Sequence, residues 1–375
     1  LLLAKGIVVF SLPVLFIPAA SAPMLVAMLL GSPLAIFLTI VLSLFSGLLT
    51  NSLHISILCF AGGIVGVYAV EGIKRRAQLV KAGFLVGFVN LLVVVSLSLL
   101  RKQEFLELMK DGLWAMSQGL LSAFMVMGVL PLFEHLFKLT TNISLLELSD
   151  LNHPLLKRLI MEAPGTYHHS LIVGNLSESA SEAIGANSLL ARVASYYHDI
   201  GKIEKSEYFS ENQKGKNKHN KLVPTMSSLI IIKHVKDGVE MCHKYNLPRQ
   251  IIEIIKQHHG TSLVPYFYQR ALDLEKDKKV NEESFRYPGP KPQSKEAAIV
   301  MLADSIEASS RSLDNPSPSR LKGLVQKIIN DKFIDHQLDE CNLALTDLSK
   351  ITESFSYILN GVFHNRIKYP EREDS

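Results

Sequence analysis

Cysteine is scarce in this sequence. Its three residues, Cys59, Cys242 and Cys341, form no CxxC pair. That excludes a disulfide scaffold and fits the soluble part of the chain to a reducing compartment. Charge is scarce as well, but only locally: the first hundred residues hold six charged side chains, Lys5, Glu71, Lys74, Arg75, Arg76 and Lys81. Strand-like alternation does not stand out, no glycine-rich phosphate loop follows a strand, and no repeat of fixed period appears. The net charge of +4 over 375 residues is no nucleic-acid signature by itself, so no nucleic acid polymer is expected as a partner.

What is present divides into two halves. A helix needs roughly 20 apolar residues to cross the hydrocarbon core. Five stretches qualify: Gly6 to about Pro23, Ser32 to Thr50, His54 to Val70, Ala82 to Leu100 and Leu113 to Phe133. Met24 to Gly31 is too short to span alone and reads as an extension of the first helix or a re-entrant piece. Lys74, Arg75, Arg76 and Lys81 cluster between the third and fourth stretches, which places that loop in the cytoplasm. Two further crossings return the chain to the cytoplasm after Phe133. Arg101, Lys102 and Lys110 fall in the outer loop, against the rule. His54 and Glu71 lie near segment ends and read as interfacial. Because apolar segments keep recurring, the start is not a signal peptide. The opening Leu1 suggests a fragment or a processed chain.

From Leu151 onward the sequence is ordinary soluble protein. Helical spacing is expected over Leu145 to Ile160, broken by Pro164-Gly165, then over Tyr167 to Ile184, with Thr166 as N-cap, and over Asn187 to Tyr197. Lys205 to Lys221 reads as a loop. Thr225 to Tyr245 is a helix, and Pro248 opens the next, which runs to His259 and stops at Gly260. Thr261 to Lys295 is the least regular stretch, and its charged run from Asp273 to Lys279 reads as a solvated helix face. Glu296 to Arg311, Ser319 to Phe333 and Thr346 to Phe363 complete an all-α fold. The expected division is 1–140 for a polytopic membrane helix bundle and 141–375 for a cytosolic all-helical domain.

The stretch Tyr197-His198-Asp199-Ile200-Gly201-Lys202 sets an imidazole and a carboxylate side by side, with an ammonium about one turn on. We read it as the centre of a metal site whose other ligands are His169, His234, His258, His259 and Asp304. Imidazole and carboxylate suit Mn2+, Fe2+ and Zn2+. Several histidines and two aspartates are enough for two ions, and such a pair can activate a bridging water and clamp a phosphoryl group. Lys202 is placed to contact a phosphate oxygen. Each residue also has a plain structural reading, as a capping or solvated side chain, and residue types alone leave that reading open. His168, His219 and His243 are taken as exposed, and Tyr266, Tyr268 and Arg286 as structural.

Pro164-Gly165-Thr166-Tyr167-His168-His169-Ser170, His198-Asp199-Ile200-Gly201-Lys202, His258-His259-Gly260 and Ala303-Asp304-Ser305 occur in the order of the HD-domain metal-dependent phosphohydrolases. Asn152-His153-Pro154-Leu155-Leu156 and Tyr287-Pro288-Gly289-Pro290-Lys291-Pro292 make the chain resemble more narrowly the membrane-anchored seven-helix HD proteins, the PgpH-type cyclic di-AMP phosphodiesterases. The resemblance runs from about Leu3 to Pro370. It implies two divalent metal ions, manganese or iron. His169, His198, Asp199 and Asp304 would hold one, and Asp199, His234, His258 and His259 the other. Asp199 would bridge, and Lys202 would contact the phosphate. The family also carries an extracytoplasmic N-terminal domain and two more helices that this sequence does not include. The implied activity is hydrolysis of the cyclic dinucleotide cyclic di-AMP to pApA by a multi-pass protein of the inner (plasma) membrane. A homodimer stays open. Cyclic di-GMP is the nearest rival substrate, but the glutamate after the paired histidines and the Gly-Tyr-Pro motif of the HD-GYP enzymes are missing. Other nucleotides, a non-catalytic nucleotide-binding receptor and a transporter are the remaining alternatives.

Overall fold

The computed structural model describes residues 17–213, 215, 217–274, 280–313 and 316–363. It is helical throughout, with no strand among the described residues beyond one isolated bridge, Leu263 to Arg286. The chain forms two compact units, Leu1–Glu147 and Leu148–Ser375.

The first unit holds α1 (Ser21–Leu30), α2 (Ser32–Thr50), α3 (Leu53–Ala69), α4 (Arg76–Arg101) and α5 (Phe105–Phe137), followed by the short α6 (Asn142–Leu148) that runs to the division. Among the described residues, three helices are long and apolar enough to cross a membrane: α2, α4 and α5. The stretch read as His54 to Val70 forms α3, whose 17 residues reach only the lower limit for a span. The stretch from Gly6 lies largely outside the described residues, and Met24 to Gly31 belongs to the ten-residue α1. Apolar side chains such as Phe37, Leu48, Leu99 and Leu100 point outward, which water disfavours and lipid accepts. Inside, α4 and α5 meet at backbone distance: a Cβ on Gly119 would stand 2.2 Å from Gly83 O and 2.3 Å from Gly87 N. Small residues permit that approach where no hydrophobic force drives helices together. Beside it, buried Asn90 donates to Gln118 Oε1 at 2.6 Å.

The second unit contains α7 (Pro154–Glu162), α8 (Pro164–Ala183), α9 (Ser188–Tyr197), a 3-10 segment over Ile200–Tyr208, α10 (Pro224–Lys244), α11 (Arg249–Gln257), α12 (Pro265–Leu274), α13 (Lys295–Ser310), α14 (Pro318–Ile334) and α15 (Leu345–Val362). Its main core is one apolar cluster: Val173, Leu176 and Ala180 of α8, Ile299, Leu302 and Ile306 of α13, Leu321 and Val325 of α14, and Ile351, Phe355 and Leu359 of α15. Each fully buried aliphatic side chain stabilises by about 1.5–3 kcal/mol, so this cluster fixes α8 against α13. Those two helices carry His169 and Asp304.

Several local expectations need correction. Thr166 is not an N-cap. Helix α8 starts three residues earlier than expected, at Pro164 after Ala163, and its open N–H groups at Gly165 and Thr166 donate to the Asn212 side chain at 2.9 and 3.2 Å. Pro248 stands just ahead of α11 rather than inside it. Within the stretch read as the loop Lys205 to Lys221, 3-10 turns occupy the end of Ile200–Tyr208, Ser210–Asn212 and Lys218–Lys221. The stretch called irregular contains α12, whose Phe267 and Ala271 pack with Phe285. Asp273 sits on the last turn of that helix, and residues 275–279 of the charged run lie outside the described residues.

Candidate metal centre

The side chains singled out in the sequence come together. His169 enters from α8, His198 and Asp199 from the end of α9, His234 from α10, His258 and His259 from just past α11, and Asp304 from α13. All are buried except His259, which is partly so. Their ligand atoms form two groups, each mutually within 4.8 Å: Asp199, His234, His258 and His259 in one, His169, His198, Asp199 and Asp304 in the other.

Asp199 stands between the groups and turns one oxygen to each. Its Oδ1 lies 3.2 Å from His234 Nε2 and 3.7 Å from His258 Nε2. Its Oδ2 lies 3.3 Å from His198 Nε2 and 3.6 Å from His169 Nε2. Asp304 Oδ1 is 3.0 Å from His169 Nε2 and 3.7 Å from His198 Nε2, while its Oδ2 faces His259 Nδ1 at 3.6 Å.

Local helix geometry sets the tautomers. His198, His234 and His258 each donate Nδ1–H to the carbonyl three residues back: Ser195 at 2.7 Å, Ile231 at 2.5 Å and Ile255 at 2.7 Å. With that proton on Nδ1, a neutral ring presents a bare lone pair at Nε2. His234 and His258 then point Nε2 at Nε2 across 3.3 Å, an unfavourable meeting of lone pairs unless a cation or proton lies between them. Asp199 Oδ1 and Oδ2 and His198 Nε2 are buried without a hydrogen bond, although Lys202 Nζ forms a close ion pair with Oδ2 at 2.6 Å. Buried polar atoms are normally satisfied. A set of nitrogen and oxygen donors aimed inward at common points fits divalent metal ions, and no thiol is among them.

The charges follow the same pattern. Burial opposes ionisation of Asp199, but the Lys202 and His198 charges outweigh it and hold its carboxyl well below the usual range. Asp304 is held low likewise by its bonds to His169 and His198, against burial. Burial lowers His258, and it lowers His259 further with the help of the His258 charge. Without a metal, the Asp199 charge overcomes burial at His198 and lifts the imidazole to about 10, so a proton takes the Nε2 position that a metal ion would otherwise hold.

Lys202 Nζ is shared between Asp199 Oδ2 and Glu211 Oε1, the latter at 3.0 Å. Glu211 also accepts from Thr166 Oγ1 at 3.0 Å. Among the remaining histidines, His168 and His243 are exposed as expected. His219 is not: it is buried, with Nε2 on Tyr208 O at 2.9 Å and its ring 4.8 Å from that of Phe267. Tyr266 is exposed, Tyr268 packs on Phe285, and Arg286 is tied to Asp335. Two partners escaped sequence reasoning. Glu307 takes the His169 Nδ1–H through Oε2 and holds Arg311 through Oε1. Its only signal was a place three residues after Asp304, on the same helix face. Tyr287 stacks on His259, ring centroids 4.2 Å apart; it opens the Tyr287-Pro288-Gly289 motif noted above, but that motif gave it no place at the site.

Both units are similar to known proteins. Residues 1–141 match the family described as "7TM receptor with intracellular HD hydrolase", and residues 166–309 match the HD domain. The cyclic-di-AMP phosphodiesterase PgpH of Bacillus subtilis (strain 168) is 43% identical over 95% of this chain and 51% of its own length. Its namesake from Listeria monocytogenes serotype 1/2a (strain 10403S) is 41% identical over 95% of the chain and 50% of its own length. The chain thus spans about half the length of these curated relatives. The crystal structure of the L. monocytogenes PgpH HD domain in complex with cyclic-di-AMP superposes with a TM-score of 0.55 at 46% identity, covering 58% of this chain and all of that one. With an apolar helical unit followed by a helical unit that gathers this histidine and aspartate set, and with relatives alike in both, the chain belongs to the PgpH-type family of membrane-anchored HD-domain proteins.

Proposed function

We propose that this chain is a membrane-anchored phosphodiesterase that hydrolyses cyclic di-AMP to linear pApA at a two-metal site. The observation that carries the reading is Asp199, whose two oxygens address two separate sets of histidines. In this reading residues 1–140 anchor the protein in the inner membrane, and residues 141–375 form the catalytic domain in the cytoplasm, consistent with the basic cluster around Arg75. His234, His258, His259 and Asp199 would hold one divalent ion, and His169, His198, Asp304 and Asp199 the other. The ions in this reading are manganese or iron, as the family resemblance implies, and imidazole and carboxylate donors without thiolate suit them. Bound there, they supply Lewis acidity toward phosphoryl oxygens and a lowered pKa for water.

The protein's own groups do the rest. The Nδ1–H bonds to Ser195, Ile231 and Ile255 lock three imidazoles in the ligand tautomer, so no reorganisation is needed when substrate arrives. The Asp199 carboxylate would offset the repulsion between two such cations. Lys202, fixed by Glu211, holds an ammonium beside Asp199 and can turn a proton toward a phosphate oxygen. The choice of substrate rests on the relatives, whose names specify cyclic di-AMP.

The test uses the full chain in detergent with Mn2+, given cyclic di-AMP and cyclic di-GMP in parallel, with products separated. Conversion of cyclic di-AMP to pApA, lost on chelation, is expected. Preferred turnover of cyclic di-GMP, or none of either by protein that holds two metals, would overturn the substrate.

A further inference from the structure

A cyclic dinucleotide carries two phosphodiesters on opposite sides of its ring. Only one can occupy the reacting position at a time, and the other remains an anion that the site must accommodate. The cations near the metal centre differ in how they are already engaged. Lys202 is committed to Asp199 and Glu211. Arg286 is committed to Glu282 and Asp335 and also donates to Thr261 O. Lys332, near the end of α14, is different. Its Nζ donates to the Ser262 hydroxyl at 2.7 Å, and it has no carboxylate within ion-pair distance among the described residues.

Ser262 places that ammonium at the edge of the centre. It is buried, and its N–H donates to His259 O at 3.0 Å. Its carbonyl accepts from the N–H of Tyr287, the residue whose ring covers His259. The same end of α14 is fastened to this strip by Gln337, whose Oε1 accepts from Thr261 N at 2.8 Å. Burial pulls the Lys332 ammonium below its usual range, and the charges of Asp304, Asp335 and Asp331, none in ion-pair contact, offset that only in part against the opposing Arg286. A desolvated cation with no carboxylate in direct contact is costly, and an arriving phosphate relieves the cost.

We propose that Lys332 receives the second, non-reacting phosphate of the cyclic dinucleotide at the Ser262 edge of the site. This rests on the phosphodiesterase reading above. Lys332 is thus a substrate-binding residue and not a group that takes part in bond cleavage.

The experiment compares the full chain in detergent with Mn2+ on two substrates: cyclic di-AMP, and bis(p-nitrophenyl) phosphate, a diester with a single phosphate. Lys332→Gln is expected to raise KM for cyclic di-AMP about 10–100-fold, as for a lost charged hydrogen bond, with kcat little changed. Hydrolysis of the single-phosphate diester and metal content should match the unmodified chain. Lys332→Arg should recover most of the KM. Equal losses on both substrates, or no loss on either, would overturn the proposal. An unmodified chain that cleaves the simple diester but not cyclic di-AMP would refute the substrate reading instead.

Discussion

A carboxylate with both oxygens buried, facing imidazoles on each side, is stable only if positive charge is supplied. Lys202 supplies part of it, and metal ions are the natural source of the rest. The same reasoning gives Glu307 a role through another residue. By accepting Nδ1–H it turns His169 so that Nε2 faces Asp199 and Asp304, and outer partners of this kind are typically worth 10–100-fold in metal affinity or activity. Glu307→Gln should therefore weaken Mn2+ binding by about that factor, read by competition against a chelator, with the other ligands intact. Unchanged affinity would make Glu307 merely an anchor for Arg311.

Glu211 gives a prediction with a pH sign. Burial pushes its carboxyl up, but the Lys202 charge outweighs burial and leaves it below its ordinary value. A depressed carboxyl contributes stability that is complete above the unfolded pKa, about 4.3, and is lost as the pH falls through the folded value. Glu211→Ala should thus cost about 1.5–3 kcal/mol at pH 7 and progressively less below about pH 4. Thermal melts at the two pH values check this, and a pH-independent deficit would contradict it.

At the scale of elements, the site depends on how closely the segment after Asp199 lies on α10. A Cβ on Gly201 would stand 1.9 Å from His234 O and 2.4 Å from Gly238 N. Both obstacles are backbone, so relief requires moving the helix that carries His234. Gly201→Ala should destabilise by about 3 kcal/mol or more, the upper range for overpacking, and should lower metal content as well. A variant that melts and binds metal like the original would show that the two segments separate easily.

This element scale also marks how far the sequence could be read. Helices α8, α10 and α13 were legible because apolar spacing and breakers such as Pro164-Gly165 are local signals. The ligands His169, His234 and Asp304 and their grouping could be named through the family resemblance, but not from helical spacing, since adjacent helix positions do not face each other. Helix α12 was hidden because Pro265 looked like a breaker when it is a starter. His219 looked exposed among lysines, yet Tyr208 and Phe267 enclose its ring from distant parts of the chain. The cap on α8 was misassigned to Thr166 because Asn212 reaches it from 46 residues away. At His219 and at the start of α8 a long-range contact overrides a local cue, whereas at α12 the local cue itself has two meanings.

At the scale of the molecule, the first unit spends its small and polar residues inward and turns its leucines and phenylalanines outward. The second keeps an aliphatic core and turns five of its histidines, His169, His198, His234, His258 and His259, onto one centre. The family match covers each unit by its own description, which makes a membrane anchor joined to a metal-dependent hydrolase the simplest assignment of labour. The central claim is that Asp199 bridges two metals and that cleavage depends on them. The most direct measurement counts divalent ions per chain and follows cyclic di-AMP turnover in the same samples, for the unmodified chain and for Asp199→Ala. The account predicts two ions and turnover in the first, and loss of both bridged occupancy and turnover in the second. Turnover by Asp199→Ala with its full metal content would contradict it.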